Sequence, residues 1–215
     1  MPLTRILHRA GNVRDLLPFA DHPGVDAIEA DVWVRGHHIV AHHERPVGPL
    51  PLLVGGWRLR RLPPQPVSLA ELVDAVHGRA RLVLDVRSWF GDPAPRLSAE
   101  LMEIEPRDHF SVTCESWAIA DRLRSWLRDL EVGYSVRSPR QLARYVAAAE
   151  RGKRPPTPVA VRHSLLRSPE DVAALHRVSP TVTAWTVDDV DRALELAEWG
   201  VDGIVSNLVT VLNAV

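Results

Sequence analysis

The 215-residue chain has one cysteine, one lysine and almost no net charge, and each scarcity narrows what it can be. Cys114 alone cannot close an intrachain disulfide, so no disulfide framework supports the fold, and a reducing, cytoplasmic location is expected. Residues 1–20 lack the basic start and unbroken apolar run of a secretory signal, in keeping with that location. No apolar run reaches the roughly 20 residues that cross a bilayer, so stable membrane insertion is not expected. Twenty-seven acidic against 26 basic side chains leave a net charge of −1, which argues against a polyanion-binding surface, and nucleic acid is not an expected partner. Lys153 is the only lysine beside a heavy use of Arg, Ala, Val and Pro, a pattern of codon bias in which an arginine can stand where a lysine is more usual.

What the chain does have is alternation. Thr4–His8 reads as a first strand, and Gly11-Asn12 as a turn with Asn12 capping a helix over 13–22 that Pro23-Gly24 stops. Val25–Val34 is the next strand; Arg35-Gly36 is a tight turn, and Ile39–Ala41 a returning strand that delivers His42 and His43. Nine prolines and glycines between 44 and 66 predict an excursion without regular structure that could form a lid. Within it, the stretch 57–61 has basic and apolar residues and is read as a solvated loop. Ser68 then caps a helix to about His77, Arg81–Arg87 is an apolar strand, and helices near 95–105, 117–130, 139–151, 169–177, 189–199 and from 207 alternate with strands 109–114, 132–137, 159–163, 181–187 and 202–205. Eight strand–helix units in little more than 200 residues, with no linker dividing them, predict one (β/α)₈ barrel domain over 1–215, an open doubly wound sheet being the runner-up. The barrel is preferred because His8, Glu29, Asp31, Asp85 and Arg87 all fall at or near the carboxyl ends of strands, which a barrel gathers into one mouth.

These residues are the chemistry. Glu29 and Asp31 lie two apart on one strand, hence on one face about 7 Å apart. Two ionised carboxylates in a sheet interior need a cation or a basic partner. Asp85 adds a third. Carboxylate oxygens suit Mg²⁺ or Ca²⁺ rather than zinc. Arg9 and Arg87 beside such an ion suit a phosphate, and His8 with either His42 or His43 can move protons near neutral pH. The set describes cleavage of a small-molecule phosphodiester. A plainer alternative makes Asp85–Arg87 an ion pair and joins Glu29 and Asp31 to Arg9 and Arg87 in a metal-free network. A zinc site on the His37-His38 and His42-His43 doublets is disfavoured, because adjacent strand residues point to opposite faces. Cys114 reads as a buried thiol, and Trp185 as either core or one wall of a substrate pocket.

In order along the chain these residues resemble the glycerophosphodiester phosphodiesterase family, a (β/α)₈ barrel of the same superfamily as phosphatidylinositol-specific phospholipase C. His8-Arg9-Ala10 stands for the family's HRG, Glu29-Ala30-Asp31 for ExD, His42-His43 for HD, Asp85-Val86-Arg87 for EIK, Trp185-Thr186-Val187 for WTV, and Gly200–Asn207 for GVDGIITD. The resemblance implies that Glu29, Asp31 and Asp85 bind one divalent ion, that His8 and His42 are the acid and base, and that Arg9 and Arg87 contact the phosphate. Several positions depart from it. Asn12 is nearly all that remains of the PENT segment, Asp85 replaces a Glu, Arg87 a Lys and His43 the HD aspartate, and 44–66 is shorter than the usual substrate-capping insertion. The rival functional expectation is a catalytically degenerate barrel that binds a phosphate ester or a protein partner.

Overall fold

Eight short runs of small and β-branched residues form the staves of a closed parallel barrel: β1 (Thr4–Leu7), β2 (Ala27–Arg35), β3 (Arg81–Val86), β4 (Phe110–Cys114), β5 (Glu131–Val136), β6 (Val159–Arg162), β7 (Val182–Trp185) and β8 (Gly203–Ser206). Closure is explicit, because β1 pairs in parallel with both β2 and β8. The structure, a computed structural model, describes residues 2–48, 50–55, 58–63, 65–89, 91–105, 108–152 and 155–215. Helices α1 (Leu69–Val76), α2 (Ala94–Met102), α3 (Trp117–Trp126), α4 (Pro139–Glu150), α5 (Pro169–His176), α6 (Val190–Glu198) and α7 (Val209–Leu212) follow β2 to β8 in turn.

The alternation within a strand separates the core from the site. In β3, Leu82, Leu84 and Val86 are buried, while the intervening Val83 and Asp85 face the barrel axis and are partly open. The large apolar side chains thus lie between sheet and helices, where each fully buried leucine contributes about 1.5–3 kcal/mol. Polar groups are left for the axis and its carboxyl-end mouth. Helix starts follow local chemistry. Ser68 and Glu71 form a capping box on α1, with Glu71 also bound to Arg14 at 2.7 Å, and Asp189 accepts from the Arg192 amide at the start of α6.

Three expectations are corrected. The helix over 13–22 is instead two 3₁₀ segments, Ala10–Asn12 and Arg14–Asp21, and Asn12 caps neither. Pro18 sits inside the second segment and removes a backbone donor, and the Asn12 side chain is bound to Asp31. The excursion is not irregular. Arg45–Pro46, Leu52–Gly55 and Arg58–Arg61 form a three-stranded antiparallel sheet, and Val67–Ser68 pairs with His38–Ala41. Pro49, Gly56, Trp57 and Pro64 of that excursion lie outside the described residues. The 58–61 stretch is an exposed outer strand rather than a loop. The hairpin over 32–41 forms as expected, with Arg35 opposite His38 and Gly36 at φ +58° in the turn.

Candidate active site

β2 runs on past its barrel partners, so its carboxylates stand at the mouth beside the end of β3, where Asp31 pairs in register with Asp85. Glu29, Asp31 and Asp85 each offer an oxygen within 4.8 Å of the others, closer than an ideal strand spacing suggests because the side chains converge. Glu29 and Asp31 are buried.

Each carboxylate is held differently. Glu29 accepts from the backbone N–H of Arg9 at 2.7 Å, a donor presented because Arg9 takes the left-handed conformation at φ 56°. Asp31 is clamped from every side: the Asn12 amide donates at 2.8 Å, His43 Nδ1 lies at 3.1 Å, Arg87 Nε donates at 2.7 Å and Arg9 Nε is 3.7 Å away. Burial pushes Asp31 upward, but His43, Arg87 and Asn12 outweigh it and hold it below the ordinary carboxylate range. Asp85 accepts from Thr113 at 3.3 Å and pairs with Arg87 Nη2 at 2.9 Å, yet burial and the charges of Asp31 and Glu115 push it up to about 7. Glu29 is also raised well above the ordinary value, by burial and then by Asp31 and Asp85.

That imbalance bears on a metal. Oxygens sharing one Mg²⁺ or Ca²⁺ at about 2.0–2.6 Å lie within about 5 Å of one another. The observed spread fits. Two of the three groups resist ionisation with only the protein's own cations present, so the donor set and its uncompensated charge both suit a hard divalent ion, which these three residues could hold.

The imidazoles are set by their other nitrogens. Asn207 donates its amide N–H to Asp188 at 2.6 Å, which turns its carbonyl oxygen toward His8 Nδ1 at 2.8 Å; Nδ1 therefore carries the proton and Nε2 the lone pair, 3.9 Å from Glu29 Oε2. His42 Nδ1 donates to the Glu44 carbonyl at 2.8 Å, and its ring stacks on Trp33 at 5.6 Å, leaving Nε2 buried and without a partner among the described residues. Burial lowers the pKa of both His8 and His42.

A cavity of about 370 Å³ opens at this mouth, and His8, Arg9, Glu29, Asp85, Arg87 and Trp185 are on its wall. Trp185 is thus a pocket wall that also packs against the apolar residues of the axis. His42 is not on that wall; His43 is. Asp31 sits behind it, fully buried. Cys114 is a buried thiol, as expected, pushed up to about 12 by burial.

Sequence reasoning missed a group of residues. Glu115 links Arg87 at 3.5 Å to Arg137 at 3.0 Å, and both Glu115 and Arg137 line the cavity with Arg162. Each comes two positions after an inward-facing residue near a strand end, the same relation that joins Asp85 to Arg87, and that spacing was the available signal. The Asp188–Asn207 anchor of His8 joins loops after β7 and β8, and no local pattern marks it.

No protein-family model matches the chain, and no curated protein matches it. Solved structures do. A glycerophosphodiester phosphodiesterase from Parabacteroides distasonis superposes with TM-score 0.76 at 18% identity, covering 98% of this chain and 95% of that one. An Oleispira antarctica phosphodiesterase in complex with the product sn-glycerol-3-phosphate gives 0.72 at 16%, covering 98% and 96%. A glycerophosphodiester phosphodiesterase from Agrobacterium tumefaciens gives 0.71 at 16%, covering 99% and 100%. At these identities the likeness shows the fold, a (β/α)₈ barrel matched over nearly the whole chain.

Proposed function

We propose that this barrel is a metal-dependent phosphodiester hydrolase acting on glycerophosphodiesters or related small headgroup esters. The observation that carries the reading is the convergence of three carboxylates, two of them short of compensating charge, beside two imidazoles whose Nδ1 atoms are already committed. Glycerophosphodiester phosphodiesterases among the structures of the same fold support it.

Glu29, Asp31 and Asp85 would hold Mg²⁺ or Ca²⁺, and the ion when bound supplies Lewis-acid stabilisation of charge on the phosphate oxygens. Arg9 and Arg87 line the cavity and are cationic, so they bind the phosphate and offset negative charge that grows in the transition state. His42 Nε2 carries a lone pair and takes the proton of the attacking hydroxyl or water. His8, once protonated at Nε2, is stabilised by Glu29 and returns a proton to the leaving alkoxide. A second reading gives the base role to His43, because it is His43 that reaches the cavity wall, with Asp31 orienting its ring.

A chelator-controlled screen against glycerophosphodiesters and lysophospholipids, detecting released alcohol or cyclic phosphate, tests the proposal. Turnover that disappears with chelator and returns with Mg²⁺ or Ca²⁺ is expected. A purified, folded protein that turns over none of these esters with either ion present is instead the degenerate, binding-only barrel.

A further inference from the structure

The near-zero net charge conceals a segregation. Between residues 35 and 66 the sequence has five arginines and one acid, Glu44, which leaves 21 basic against 26 acidic side chains in the rest of the chain. The three-stranded sheet lies in this segment, and its pairing decides which side chains share a face. Residues directly opposite in an antiparallel pair lie on one face. Arg45 is opposite Val54 and Val54 is opposite Leu59, so these three form one row across the sheet. Leu52 and Arg61, paired two positions along, lie on the same face. The other face carries Leu53, which is buried, and Arg60, which pairs with Glu44 at 3.6 Å. The sheet therefore packs on the protein through Leu53 and turns the Arg45–Val54–Leu59 row outward, with Val54 40% and Leu59 61% exposed. The row runs on to Trp89, 49% exposed, whose ring Arg45 covers at 4.2 Å.

An outward face that sets large apolar side chains between arginines, with no acid in its rows, fits a partner that is anionic at its surface and apolar just beneath. We infer that this face docks on a lipid bilayer rich in anionic phospholipid. Each arginine held near such a surface contributes about fivefold in affinity. Aliphatic side chains with a tryptophan beside them suit the boundary between headgroups and acyl chains. Nucleic acid would engage the arginines through its phosphates but leave Val54 and Leu59 in water. Arginine on an edge strand also discourages strand addition, yet that role calls for no exposed apolar groups between the arginines. Docking sets the mouth at the lipid surface, because the strand Arg45–Pro46 starts two residues after His43 and Trp89 lies two residues after Arg87. The contact is peripheral, since no helix among the described residues is long and apolar enough to cross a membrane. It is independent of the phosphodiesterase reading.

The test is co-sedimentation of the full chain with vesicles of phosphatidylcholine alone or mixed with phosphatidylglycerol, at low and raised salt. Binding is expected to the mixed vesicles only, and to weaken as salt rises. Arg45→Gln and Arg61→Gln should each weaken it about fivefold, and Leu59→Gln by about as much through lost apolar contact. Arg177 is exposed and follows α5 at the opposite, amino end of the barrel, so Arg177→Gln should leave binding unchanged. Each variant is first shown to be folded by circular dichroism; the comparison of the two vesicle types in the native protein decides alone if a variant is not. No binding to the mixed vesicles, equal binding to both types, or a loss in Arg177→Gln that matches Arg61→Gln overturns the proposal. Binding weakened by Arg61→Gln but untouched by Leu59→Gln also overturns it, because the face is then a general polyanion site of the kind nucleic acid would use. Turnover of glycerophosphocholine with Mg²⁺, measured separately, bears on the hydrolase reading alone.

Discussion

Asp85→Asn is expected to stabilise the metal-free protein at pH 8 by a few kcal/mol while abolishing metal-dependent turnover. The reason is the position of Asp85 beside two other buried carboxylates. Its folded-state pKa is raised to about 7 and that of Glu29 is raised as well, so the folded chain keeps these protons over a range in which the unfolded chain has released them. Stability contributed by the two groups is fully present below about pH 4, declines as pH rises, and for Asp85 is gone above about 7. A shift of this size corresponds to a few kcal/mol at about 1.4 kcal/mol per unit. Asparagine keeps the shape and removes the charge. Asp31→Asn should do the opposite, because Asp31 is held below its ordinary value by His43, Arg87 and Asn12, and neutralising it strips all three of their shared partner. Urea unfolding of both variants with chelator at pH 8 and pH 4 checks the pair. The Asp85→Asn gain should be present at pH 8 and absent at pH 4. Destabilisation by Asp85→Asn at pH 8 would mean that its ion pair with Arg87 outweighs the repulsion, and the site would be a structural network.

The second large effect concerns the imidazoles. His8→Ala and His42→Ala should each lower kcat by about 10²–10⁴-fold, the usual contribution of a positioned general acid or base, in protein that circular dichroism shows to be folded. His43→Ala should cost less than tenfold. The lowered pKa of His42 leaves its ring neutral and ready as a base, so the acid limb of the pH–rate profile should fall below the 6.5 of a free imidazole, whereas the lowered pKa of His8 makes its proton-bearing, acid-competent fraction shrink as pH rises, so activity should decline on the basic side. If His43→Ala proves the damaging change and His42→Ala the mild one, the base is the ring on the cavity wall, and His42 is a packing residue stacked on Trp33.

Much of this was legible in the sequence, for reasons that differ between parts. The eight strands and their helices were, since each parallel strand is an apolar run bounded by turn residues and several helices carry a capping residue at their start, as at Ser68 and Ser138-Pro139. The carboxylates were legible because acids inside an apolar strand contradict the local pattern. The sheet over 45–61 was not: its prolines and glycines advertise turns, while the pairing of Leu52–Gly55 with Arg58–Arg61 depends on contacts that local composition does not encode. Asn12 followed a cap pattern, but Asp31, nineteen residues later, competed for its side chain and won. Whether His42 or His43 faces the cavity was equally hidden, since the hairpin sets the twist that turns one ring inward and the Trp33 stack fixes the other.

The central claim is that Glu29, Asp31 and Asp85 together hold one hard cation, and calorimetric titration of Mg²⁺ and Ca²⁺ into chelator-stripped protein tests it most directly. A single site is predicted, tightening between pH 6 and pH 8 as Asp85 gives up its proton, and weakened at least tenfold by each of Glu29→Gln, Asp31→Asn and Asp85→Asn. No binding of either ion at millimolar concentration, or a site indifferent to all three substitutions, would contradict it.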